Sequence, residues 1–413
     1  MTKSFRAATF LALAAVAGCS SDTGSTEPGN PVSIVWAPCI NDVDAPAWFA
    51  VQDGTKAWTR VTPSNGVFTF TVTADQVGVA TFANGLLSVL FATPGEIKSL
   101  ASTCGTARRS VSGTVTGYTS PDQIAIQAEA GGASVSGGTT PPAQFVLTDV
   151  APSSFDVLAT RSRSTLNGST LQVTPSSVFI RRAQNTSTLA LIDLNSATEA
   201  GAPLAQTATI ANAATGETIL VVASLNTATT AIDMGQYVTT LGTVAGNVTA
   251  PFYGLPATRL ISGEAQTLDV VATKNLSSSS SESRSVTLSY TASADKTVTL
   301  GAALGAVTIS KGSRPSATYT IQSGYEQIFE LDLDQSTSSI QVITTKGYVG
   351  AAATQVTVAV PDLSHVSGFL SSWILTPGAT ATSTFLAAGA DVGVFRHNNQ
   401  SYAAASRTST FTP

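Results

Sequence analysis

Residues 67–73 read Val-Phe-Thr-Phe-Thr-Val-Thr. Apolar and polar side chains alternate with a period of two, the pattern of a strand with one face on a core and one in water. Similar short runs rich in Val, Ile, Leu and Thr recur at 86–92, 218–224, 266–272, 285–290, 297–300, 317–321, 328–333, 339–344 and 355–360. Gly, Ser, Asn and Pro fall between them at the spacing of sandwich strands. No stretch sustains the 3.6-residue period of a long helix. The one marked helix start is Thr93-Pro94-Gly95-Glu96, a capping box with proline at the first helical position. The expected fold is therefore all-β, built as tandem β-sandwiches, with helix below about 15% against a base rate near a third. Charged residues make up only 11% of the chain, well under the usual quarter. Serine and threonine take over solvation, which suits strands and turns better than exposed helices.

The N-terminus follows a different logic. Lys3 and Arg6 precede a short apolar run over residues 7–17, which closes on Val16-Ala17-Gly18-Cys19. A basic start, about a dozen apolar residues and small residues at the cut form a secretion signal. A membrane span needs about 20 apolar residues, more than this run supplies. Val16-Ala17-Gly18-Cys19 resembles the lipobox of bacterial lipoproteins. The resemblance implies cleavage before Cys19, diacylglyceryl and N-acyl chains on it, and a membrane partner reached through that anchor. Ser20 stands where an aspartate retains enterobacterial lipoproteins at the inner membrane, so the resemblance implies export to the outer membrane.

Removal of residues 1–18 leaves 395 residues, enough for two to four domains. Without Lys3 and Arg6 the 20 basic residues fall to 18 against 25 acidic ones, a formal charge of −7. That balance excludes a nucleic-acid footprint, which is basic. With Cys19 lipidated, Cys39 and Cys104 form an even pair in an exported chain, which reads as a disulfide. It would close a loop of about 65 residues and stabilise the fold by roughly 4 kcal/mol in the chain-entropy model.

The expected organisation is a signal peptide (1–18), a polar tether (19–31), a small disulfide-linked β domain (32–106), a second domain (107–193) and a β-sandwich region (194–413) that holds one elaborated domain or two. A boundary between Tyr290 and Lys311 is weakly marked, and no exact repeat of fixed period is evident. In the second domain, a glycine-bearing strand at 110–117 is followed by Ile124-Ala125-Ile126, then 145–152 ending Val150-Ala151-Pro152, then Phe155-Asp156-Val157. This order resembles the carboxypeptidase regulatory-like domain, a small transthyretin-like β-sandwich. That family is largely non-catalytic, so the resemblance implies a spacer or adhesion role. Its frequent Asp-Gly before the third of these strands is replaced here by Ala143-Gln144.

Chemistry-bearing residues are sparse. His365 and His397 are the only histidines, which limits acid–base and metal hypotheses. Asp362, Ser364 and His365 have the residue types of a hydrolase triad, but no Gly-x-Ser-x-Gly elbow accompanies them. Glu330, Asp332 and Asp334 alternate along one strand face, at roughly 7 Å per step, and read as a solvated face. Asn41, Asp42 and Asp44 form an acidic loop without the EF-hand pattern. No metal and no cofactor is expected. Trp48 and Trp58, read as opposite each other across a hairpin whose three-residue loop ends in Gly54, either fill the core of 32–106 or make a sugar platform flanked by Lys56 and Arg60. The leading expectation is a non-catalytic, lipid-anchored envelope protein that displays sandwich surfaces to a polysaccharide or protein partner. Carbohydrate binding, and a serine hydrolase within 194–413, are the alternatives.

Overall fold

The computed structural model describes residues 31–36, 46–100, 109–129, 131–135, 140–150, 153–242, 246–336, 338–390 and 400–413. The signal segment, Cys19, Cys39, Cys104, the Asn41–Asp42–Asp44 loop and His397 lie outside them. The described residues are all-β, 60% strand and 4% helical.

Among the described residues the strands fall into four units with one topology, which the sequence did not reveal. In each, six strands in chain order split into two layers. The first pairs antiparallel with the fourth, while the third, second, fifth and sixth lie side by side in that order. The six strands start at Val32–Trp36 in the first unit, Arg109–Thr116 in the second, Leu204–Ala213 in the third and Ser316–Thr320 in the fourth. They end at Leu86–Ala92, Thr170–Gln184, Ser280–Tyr290 and Tyr402–Phe411. A seventh strand joins the first layer of the second and third units, parallel to the opening strand in both, as Ile192–Asp193 and Lys296–Thr299. The region 194–413 thus contains two sandwiches.

The larger layers of all four units fuse into one sheet of 17 strands. Leu171 to Val173 join the second unit to Gln236 to Val238 of the third. Ser280–Tyr290 joins the third to Tyr402–Phe411 of the fourth. Leu86–Ala92 of the first runs parallel to Ser338–Thr345 of the fourth. The units therefore follow the order second, third, fourth, first along the sheet. The first unit lies against the last, not against its chain neighbour.

Fusion buries strands on both faces, and such strands read as continuous apolar runs. On Thr170–Gln184, Phe179 enters the core of the second unit while Val178 and Ile180 enter that of the third. The described residues of 32–106 likewise share their cores with the C-terminal region. Phe49 and Val51 pack with Ile34, Phe68, Ile328 and Ala388 on one face, and Trp48, Ala50 and Val89 with Phe329, Leu331 and Val342 on the other.

The capping box forms as read from sequence. Glu96 Oε2 accepts the backbone N–H of Thr93 at 2.7 Å and starts the helix Pro94–Leu100. The same oxygen accepts the Thr345 hydroxyl at 2.8 Å, so the cap also ties the first unit to the fourth.

The hairpin register differs from expectation. Ala50 faces Arg60 and Val51 faces Thr59, so Trp48 and Trp58 are not opposite each other. Asp53 explains the longer loop, because its carboxylate accepts the backbone N–H groups of Thr73 and Ala74 at 3.0 and 2.8 Å and the Lys56 ammonium at 2.7 Å.

Candidate functional site

The tryptophan pair is core, not platform. Trp48 is 1% exposed and Trp58 is 7% exposed. The Trp58 ring lies on Gly78, where a Cβ would come within 2.6 Å of it. Trp48 is covered by the connection between Gln355–Ala359 and Ala381–Ala388. Its indole N–H donates to Ser367 O at 3.0 Å, and its ring meets Phe369 and Trp373 edge-on at 5.7 and 5.6 Å. Arg60 donates to the same carbonyl at 3.1 Å, and Lys56 points outward to Asp53. Trp48 and Arg60 hold the fourth unit onto the first, Trp58 sits in their shared core, and the four offer no stacking surface.

Asp362, Ser364 and His365 do not assemble a triad. The Ser364 hydroxyl donates to Asp362 Oδ1 at 2.7 Å instead of to His365, and Arg314 pairs with the same carboxylate oxygen at 2.7 Å. His365 is exposed. Among the described residues no three His, Cys, Asp or Glu side chains gather to hold a metal.

The acidic strand Ile328–Gln335 is not a uniformly solvated face. Only Asp334 is exposed, whereas Glu330 is 3% exposed and accepts the Gln341 amide at 2.5 Å. Burial, then the neighbouring Glu330 carboxylate to which Asp332 is hydrogen-bonded, pushes the Asp332 carboxyl well above the carboxylate range. A carboxyl raised on folding binds its proton more tightly in the native state. Its stabilising effect is full below the ordinary carboxyl pKa near 4 and fades as pH rises through neutrality. We therefore expect urea unfolding to show greater stability at pH 5 than at pH 8, by on the order of 1–2 kcal/mol. Asp332→Asn should flatten that slope, and an equal slope in the variant would remove the assignment.

One end of the second unit carries an open depression in its surface. Two adjoining depressions of about 460 and 550 Å³ share Thr119 and Arg161. Strand Phe155–Asn167 supplies Arg161 and Arg163, which its period of two places on one face. The turn after Arg109–Thr116 supplies Gly117, Tyr118, Thr119 and Asp122, and the segment after Ile192–Asp193 supplies Asn195.

The arginines, Asp122 and Asp193 of this groove are held in place by hydrogen bonds. Arg161 Nε donates to Ser176 Oγ at 2.9 Å, and Nη1 donates to Asn195 Oδ1 at 3.0 Å and to Gly117 O. Arg163 Nε donates to Asp122 Oδ1 at 2.6 Å. Although burial opposes it, the Thr119 N–H and the Arg163 guanidinium hold the Asp122 carboxyl below its usual range. Asp193 Oδ1 accepts the Asn195 N–H at 3.0 Å. Tyr118 is 3% exposed and its buried hydroxyl has no hydrogen-bond partner. Donors and acceptors fixed on strands and tight turns suit recognition of a polar ligand at little ordering cost. No recognised motif in the sequence marks this groove. The available signal was Arg161-Ser162-Arg163, two arginines on one strand face in a chain so poor in charge.

No protein-family model matches the chain, and no curated protein matches it. Fold and site together define an all-β protein of four fused sandwiches with a polar groove on the second.

Proposed function

We propose that the chain is a lipid-anchored protein of the bacterial cell envelope that displays sandwich surfaces and performs no chemistry of its own. In this reading cleavage leaves Cys19 as the acylated first residue, at the outer membrane, and the polar segment 19–31 links the anchor to the first unit. Two or more acyl chains make such anchoring stable. The observation that most supports display is the fusion of four sandwiches through one sheet of 17 strands. Such a body holds its loops and groove at set positions. Among the described residues no helix is long and apolar enough to cross a membrane.

The resemblance of 107–193 to the carboxypeptidase regulatory-like domain fits a spacer or adhesion role. Carbohydrate binding is the second reading, and the Arg161–Arg163 groove favours it over the buried tryptophans. The test is fractionation of bacteria that make the wild type or Cys19→Ala. The wild type is expected in the membrane pellet, released only by detergent, and the variant in the soluble fraction. Identical partitioning of the two would overturn the anchor.

A further inference from the structure

The four units form two bodies, one inserted into the other. Among the described residues, the buried apolar side chains gather in four clusters, and no cluster crosses from residues 111–300 to the rest of the chain. Two clusters join the first unit to the fourth, with buried members only in 34–97 and 304–405. The other two serve the second and third units, with buried members only in 111–300. Of the partly buried residues, Ala403 alone packs against a cluster of each body. The first and fourth units thus make an outer body, and the second and third an inner body set between its two halves in the chain.

The joints differ in kind. Inside the inner body, Arg182 donates through Nε and Nη2 to the Glu264 carboxylate at 2.6 and 2.7 Å, and that side chain is 2% exposed. Thr230 Oγ1 adds a buried bond to Asp156 O at 2.8 Å. Inside the outer body, Trp48 and Glu96 bridge the units, and Gln76 donates to Tyr348 O at 2.6 Å. Between the bodies lies an antiparallel ladder in which Ser280 to Thr287 face Ser409 to Tyr402. Its opposed pairs are small, among them Ser281 with Thr408, Ser283 with Ser406, Ser285 with Ala404 and Val286 with Ala403. Its ion pair, Arg407 with Glu282 at 3.4 Å, is partly exposed, a kind that contributes little. Parting this ladder uncovers little apolar surface and returns its backbone groups to water, whereas parting either other joint opens a core.

The chain passes between the bodies twice. One crossing falls within 101–108, outside the described residues. The other is Gly301-Ala302-Ala303, an irregular segment whose two alanines are exposed. Both sides of it are clamped. Arg284 of the inner body, whose Nε and Nη2 reach the buried Glu217 carboxylate at 2.9 Å, donates through Nη1 to Gly301 O at 2.7 Å. Tyr325 of the outer body donates its hydroxyl to Ala302 O at 2.8 Å. Rotation is thereby confined to a few small residues, as in a hinge. We infer that the ladder is a parting joint: the inner body swings off the outer body about Gly301–Ala303 while both keep their cores. The fused sheet is rigid within each body and yields between them, a sub-global opening below the cost of unfolding either. The joint is a property of the fold and stands whether or not Cys19 carries lipid.

The experiment is residue-resolved hydrogen exchange on the whole purified protein. Strands Ser280–Tyr290 and Tyr402–Phe411 each have a second neighbour on the side away from the joint, Ala265–Ser277 and Ala381–Ala388. Successive N–H groups of an antiparallel strand point to opposite sides. Parting therefore bares alternate amides. Those aimed across the joint should exchange at least about tenfold faster than those aimed away from it, which should stay near the rates of Ile219–Leu225 and Phe329–Leu333. Ser283→Cys with Ser406→Cys sets a disulfide across a directly opposed pair, at a Cα separation of about 4.5–5.5 Å that suits the bond. With that bond closed, and checked by peptide mapping, the alternation should vanish, and reduction should restore it. If the bond does not form, the wild-type pattern decides. Uniform protection along both strands, loss of protection in step with the cores, or alternation that survives the closed disulfide would overturn the proposal.

Discussion

Glu217→Ala should unfold at much lower urea than the wild type, with a stability loss of about 3–5 kcal/mol. Glu217 and Arg284 are both buried. Removal of the carboxylate leaves the guanidinium with two carbonyls, Gly301 O and Asn212 O, and no counter-charge. The penalty comes chiefly from that stranded cation, because taking two charges out of water already offsets much of their attraction. The paired replacement Glu217→Leu with Arg284→Met should therefore lose less than Glu217→Ala alone. If the double replacement costs as much as the two single ones summed, the residues do not act as a pair.

Trp48→Ala should cost about 3–5 kcal/mol, the range for truncating a large buried aromatic. The loss combines the cavity, the edge contacts to Phe369 and Trp373, and the bond to Ser367 O. Its effect should reach beyond the first unit. The connection over Trp48 belongs to the fourth unit, so proteolysis near Ser367 should accelerate in the variant. Near-wild-type stability together with unchanged proteolysis would show that Trp48 is not the keystone between the two units.

How far the sequence carried depends on the range of each interaction. Alternation such as Phe68-Thr69-Phe70-Thr71-Val72 reports a local property, the two faces of one strand, and it located the strands. Trp48 enters one core and its neighbours Phe49 and Val51 another, as the two faces of one strand require. Pairing between distant strands leaves no such trace. Ser88 and Gln341 meet across 253 positions, and nothing in either run announces the other. The fourfold topological repeat was hidden because the loops differ in length. The connection after Gln355–Ala359 in the fourth unit is long enough to cover Trp48, whereas the one after Phe68–Val72 is a short turn.

The acidic strand shows the same limit at the level of a side chain. Glu330, Asp332 and Asp334 share a face, and the pattern alone cannot say that Glu330 meets Gln341 inside the protein while Asp334 meets water. The groove was illegible for a related reason. Arg161 gains meaning from Gly117, Ser176 and Asn195, which three separate segments bring to it.

The central claim is a body of sandwiches held to the envelope by lipid at Cys19, and intact mass spectrometry of protein purified from bacterial membranes tests it most directly. The expected result is a mature chain that begins at Cys19 and carries the added mass of a diacylglyceryl group and an N-acyl chain. A chain that retains residues 1–18, or one whose Cys19 is unmodified or cleaved away, would contradict it.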